Sequence, residues 1–78
     1  MQTESTGPSS AMAIAREVRA ELGRQQISTA ALGRKLGRSQ SYWSRRLNGT
    51  VNFNISELQA IAKLLGIPLS QLLPELAS

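Results

Sequence analysis

A chain of 78 residues with a formal net charge of +4 and no His, Cys or Asp has room for one domain with a marginal core. It lacks the parts for disulfides, for Cys or Ser–His nucleophiles and for His- or Cys-held metal. Its carboxylates (Glu4, Glu17, Glu21, Glu57 and Glu75) are dispersed, and a Ser–Lys arrangement would have only Lys35 and Lys63 to draw on. No enzyme activity, metal, cofactor or small-molecule ligand is therefore expected.

Residues 1–9 read as a disordered tail, polar and poor in anything to bury. They carry an acid and no basic-then-apolar start, so they do not resemble a signal peptide. No apolar run approaches the roughly 18 residues that span a bilayer, and no membrane association is expected. Ser9 or Ser10 is placed to cap a first helix ending near Arg24, with Met12, Ile14, Ala15, Val18 and Leu22 on one face. Gly23 weakens its last turn.

Ser28 is an N-cap for a second helix over 29–36, in which Leu32 and Leu36 face inward and Ala30, Ala31 and Gly33 are small. Small residues let another helix approach closely; the alternative for Gly33 is simply a weak helix. Gly37 marks a left-handed stop, and Ser39 caps a third helix three residues later, which forces a sharp bend.

On a wheel of the third helix, over 39–48, Leu47 lies about 40° from Trp43. These two form the inward stripe. Ser41, Ser44, Arg45 and Asn48 face the opposite half, with Tyr42 and Arg46 on one flank. Trp43 reads as core, against the alternative of a base-stacking residue. Tyr42 is open between a phosphate donor and edge packing. Arg46 lies outside the inward stripe, so its truncation is expected to leave the fold intact.

Asn54 caps a fourth helix over 55–65, with Glu57 three residues on as in a capping box and Phe53 and Leu58 placed as a hydrophobic staple. Ile55, Leu58, Ile61, Ala62 and Leu65 form its inward face. Gly66 stops it, Pro68 opens a short fifth helical element, and Pro74 breaks that. Of the last leucines, Leu69, Leu72 and Leu73 read as core, and Leu76 as core or dimer surface. Residues 75–78 read as a tail, leaving 10–74 as the domain, all-α and compact.

Between residues 22 and 56 there are six bases (Arg24, Arg34, Lys35, Arg38, Arg45 and Arg46) and no acid. A merely solvated face would interleave acids. An unopposed basic stretch matches what phosphate binding requires.

The stretch STAALGRKLGRSQSYWSRRLNG, followed by ISELQAIAKLLGIPLSQLL, resembles the Cro/repressor type of helix-turn-helix domain, the lambda-repressor-like family of phages and bacteria. Leu32-Gly33, Gly37, Ser39, Asn48-Gly49 and the run from Ile61 to Gly66 stand at the family's landmarks, and the likeness covers about residues 10–73. It implies a compact five-helix fold. Family base contacts map to Gln40, Ser41, Ser44 and Arg45, side chains that suit base edges. Phosphate contacts map to Thr29, Tyr42 and Asn48. The cap at Ser28 opens the free amides of the second helix to phosphate, and Arg38 and Arg46 complete the set by charge. Family members often carry a buried Arg–Glu pair where Leu22 and Leu47 stand here, so a Leu–Leu contact is expected in its place.

Two functions follow from these readings. One is a sequence-specific transcriptional regulator, Cro-like or a repressor, in the cytoplasm of a bacterial host. It would bind double-stranded operator DNA as a homodimer and be a dimer or a monomer when free. The other is a protein-interaction module of antitoxin type, which has no need of six unopposed bases.

Overall fold

A computed structural model describes residues 8–73. Four α-helices follow one another: α1 (Pro8–Arg24), α2 (Thr29–Leu36), α3 (Gln40–Leu47) and α4 (Ile55–Leu65); a 3₁₀ turn at Leu69–Leu72 closes the chain. No strand occurs among the described residues, and no described helix is long and apolar enough to cross a membrane. The architecture is thus all-helical, but with four helices and not five. Pro68 is extended (φ −70°, ψ 146°), and so is Leu73 (φ −115°, ψ 93°), as expected for a residue preceding a proline. Only four residues remain between them, and they close i→i+3 bonds, Gln71 N–H to Pro68 C=O and Leu73 N–H to Ser70 C=O.

Helix α1 begins at Pro8, ahead of the expected caps Ser9 and Ser10. Proline suits a first helical position, since its φ is preset and its missing N–H would have had no partner there. The rest of the expected tail, 1–7, and the terminal segment with Pro74 and Leu76 lie outside the described residues.

Val18 and Leu22 of α1, Leu32 of α2, Trp43 and Leu47 of α3, Leu58, Ile61 and Leu65 of α4 and Leu72 of the closing turn form one core. Leu22 and Leu47, expected to face each other, are both buried in it and line one shallow depression between α1 and α3. Arg19 of α1 donates to the Leu47 carbonyl, placing a cation at the C-terminal end of the α3 dipole. Of the other residues expected to face inward, Ile14, Leu36, Leu69 and Leu73 are partly buried against this core, and two are exposed. Met12 is exposed and lies over Gly49, while Ala11 takes the buried place on α1; Ile55, in the first turn of α4, is 55% exposed.

A polar clamp joins the end of α1 to the end of α4 and to the 3₁₀ turn. Glu21 is buried, and its carboxylate accepts from Arg24 (2.6 Å), Gln25 (3.0 Å) and Gln71 of the closing turn (3.3 Å). Gln25 also donates to the Leu65 carbonyl at the end of α4 (2.8 Å). The Arg24 hydrogen bond, with those of Gln25 and Gln71, outweighs burial and holds the Glu21 carboxyl below its ordinary 4.5.

Candidate nucleic-acid interface

The geometry starts with two serine caps. Ser28 Oγ accepts from the Ala31 N–H and Ser39 Oγ from the Tyr42 N–H, both at 3.1 Å, so α2 and α3 each begin with a satisfied donor. Between them Gly37 turns left-handed (φ 84°). Gly37 and Arg38 both donate to the Gly33 carbonyl, folding the turn back onto α2.

Trp43 and Leu47 anchor α3, at 2% and 5% exposure. Trp43 is core, as its position on the wheel required. Tyr42 meets it edge-on with ring centroids 5.0 Å apart, and Phe53 stacks on it at 6.4 Å. Its indole Nε1 is the only buried side-chain nitrogen or oxygen without a hydrogen-bond partner among the described residues.

With that side buried, α3 turns Gln40, Ser41 and Arg45 outward, and Ser44 is half-buried beside them. The four residues assigned to base edges therefore share one small helix. Of those assigned to phosphates, Ser28, Arg38 and Asn48 are exposed and Thr29 is half-buried. Asn48 also accepts from the Thr50 N–H through Oδ1 at 2.9 Å, bracing the exit from α3.

Tyr42 and Arg46, also assigned to phosphates (Tyr42 with edge packing as its alternative), have partners inside the protein. Both head groups turn inward to Glu57 of α4, a buried acid that sequence reasoning treated only as a cap residue. Tyr42 donates its hydroxyl proton to Glu57 Oε2, and Arg46 Nε donates to Oε1 at 3.0 Å. The Arg46 guanidinium also donates to the Tyr42 carbonyl (3.1 Å) and lies 3.7 Å over its ring. Arg38 covers the ring too, 4.9 Å from its centroid. The capping box at Asn54 is complete, with Asn54 Oδ1 accepting from the Glu57 N–H and Glu57 Oε1 from the Asn54 N–H.

Burial pushes the Glu57 carboxyl up, but the bonds from Tyr42, Asn54 and Arg46 together bring it below 4.5. The same carboxylate, by accepting a hydrogen bond from the neutral phenol, pushes Tyr42 above its ordinary 10.0. Arg46 thus supports the fold, contrary to what its place outside the inward stripe implied, since removing it would leave a buried carboxylate without its cation.

The charge count changes accordingly. Glu21 and Glu57 stand just outside the acid-free window in sequence and fold back onto Arg24 and Arg46. Among the described residues, Arg34, Lys35, Arg38 and Arg45 form no ion pair, and all four are exposed. They lie on α2, on the turn and on α3, so the basic surface is smaller than six residues but gathered around the helix-turn-helix. The Asn54–Glu57 spacing could have drawn attention to Glu57. Nothing local links it to Tyr42 and Arg46, which are 15 and 11 residues away.

No group of three or more potential metal ligands occurs among the described residues. The BetR domain family matches residues 9–78. No curated protein and no solved structure matches the chain. The match spans nearly the whole sequence, and this chain belongs to the BetR domain family, small helical domains associated with helix-turn-helix regulators.

Proposed function

We propose that this protein is a sequence-specific, double-stranded DNA-binding transcriptional regulator of the Cro or small-repressor kind, with α3 as the helix that enters the major groove. The observation that carries the reading is the division of α3. One side is fixed in the core by Trp43 and Leu47, and the other exposes Gln40, Ser41 and Arg45 beside three further cations, Arg34, Lys35 and Arg38, that like Arg45 form no ion pair among the described residues. Membership of a family associated with helix-turn-helix regulators supports it.

In this reading Arg45 takes the O6 and N7 edge of a guanine, Gln40 an adenine, and Ser41 and Ser44 adjacent edges. Ser28, Thr29, Arg38 and Asn48 hold the phosphates on either side, helped by the amides that open α2. One such helix reads only a few base pairs. Two copies on an inverted repeat, with half-sites roughly 34–36 Å apart, supply the information that one lacks.

Selection of binding sites from random duplexes, followed by titration at several salt concentrations, tests this. An inverted repeat bound by two copies, with affinity falling as salt rises, is the expected result. Salt-insensitive or absent duplex binding would leave a protein-interaction role in its place.

A further inference from the structure

We infer that Glu57 serves as an internal substitute for a DNA phosphate, holding Arg46 off the DNA backbone so that binding relies less on charge and more on the bases. The inference rests on the DNA-binding reading above and assigns the division of labour within it. Arg46 stands on the flank of α3, where a guanidinium would meet the groove wall. Its Nε is taken by Glu57 at 3.0 Å, another nitrogen by the Tyr42 carbonyl at 3.1 Å, and its face by the Tyr42 ring at 3.7 Å. The side chain is only 14% exposed. A forked grip on a phosphate needs two donors aimed the same way, and here they are aimed into the protein.

Glu57 is also difficult to displace. Its Oε1 accepts the Asn54 N–H at 3.0 Å as well, and it sits in the first turn of α4, where the helix dipole favours a negative charge. Its side chain is 10% exposed. If Arg46 swung out to DNA, a buried carboxylate would lose its cation. A bound phosphate would therefore compete with a carboxylate already in place, and Tyr42, donating to the same carboxylate, is held by it too.

The test compares the wild type, Glu57→Gln and Arg46→Ala on a selected operator and on a random duplex, each over a range of salt. Gln also serves in a capping box and can still accept the Tyr42 hydroxyl, so Glu57→Gln removes little besides the charge. Circular dichroism confirms that each variant is folded. Arg46→Gln replaces Arg46→Ala if the latter is not, and the Arg46 variant alone decides if Glu57→Gln is not.

Glu57→Gln is expected to steepen the fall of log K with log salt by about one per protomer. It should also tighten binding to the random duplex more than to the operator. The Arg46 variant should keep the wild-type slope. An unchanged slope in Glu57→Gln, or a slope shallower by about one in the Arg46 variant, would overturn the inference while leaving the DNA-binding reading intact. A wild type without salt-dependent duplex binding would overturn that reading first, and the inference with it.

Discussion

The carbonyl oxygen of Arg38 occupies the place where a side chain on Gly33 would go, since a β-carbon built at Gly33 falls 2.6 Å from it. Gly33 is buried, and its own carbonyl accepts from both Gly37 and Arg38, so the turn between α2 and α3 is wound tightly around this residue. The neighbour is backbone and cannot rotate away. Gly33→Ala gains about 1 kcal/mol of helix propensity but must push the turn outward, at a cost typical of overpacking, about 1–3 kcal/mol. The expected outcome of urea unfolding is a net loss of stability; a variant more stable than the wild type would show that the turn yields freely.

Gln26 shows the opposite case, a side chain where glycine would be easier. It is the only non-glycine residue with positive φ (59°) among the described residues. Its N–H bonds the Gly23 carbonyl, and the Ile27 N–H bonds that of Leu22, the paired pattern that ends a helix through one left-handed residue. Gln26→Gly should stabilise the domain by about 0.5–1 kcal/mol, because the left-handed conformation costs glycine nothing sterically. An unfolding midpoint that falls would mean that the Gln26 side chain contributes more than its backbone strain removes.

Acid should weaken the fold through two residues in particular. The carboxyls of Glu21 and Glu57 are both lowered below their ordinary 4.5, Glu21 by its hydrogen bonds to Arg24, Gln25 and Gln71, and Glu57 by those that outweigh its burial. A depressed folded-state value means that the contribution is complete above 4.5 and is lost as pH falls through the lowered values. Urea midpoints measured stepwise from neutral pH downward should therefore drop below about pH 4.5. The drop should be smaller when both are Gln, because neither then titrates. Parallel curves for the wild type and the double variant would assign the acid sensitivity elsewhere.

How much of this was legible in the sequence follows from how local each cause is. Ser28, Ser39 and Asn54 cap helices through donors three residues away, and Gly37 and Gly66 stop them within a turn, so the bounds of α2, α3 and α4 could be read directly. The burial of Trp43 and Leu47 followed from a wheel alone. Met12 and Ile55 misled because periodicity does not reveal where the core ends, and both stand in the outer parts of their helices. The charge pattern misled for another reason. An acid-free window says which residues are adjacent in the chain, but the partners of Arg24 and Arg46 come from its two edges, and Gln71 reaches Glu21 across 50 residues. Left-handed backbone at Gln26 has no signature when glycine is absent.

The separation of reading from holding now rests on Arg45 and Arg38 and not on neighbouring arginines of α3. Arg45 is exposed on the side of α3 away from Trp43 and Leu47, while Arg38 lies in the turn, over the ring of Tyr42. In the proposed DNA-binding reading the first takes a base edge and the second a phosphate. Arg45→Ala should cost about 1–3 kcal/mol on the operator and relax the preference at one base pair per half-site, because a forked guanidinium discriminates guanine. Arg38→Ala should weaken operator and scrambled duplex alike, and make the salt slope shallower by about one per protomer. Neither side chain is buried, so both variants should unfold near the wild-type midpoint, which separates lost binding from lost structure. Salt titrations of the two variants on both duplexes decide the matter. If Arg45→Ala loses affinity equally on both and Arg38→Ala loses selectivity, the helix meets DNA through the turn, and the base-reading residues lie nearer the N-terminus of α3 than Arg45.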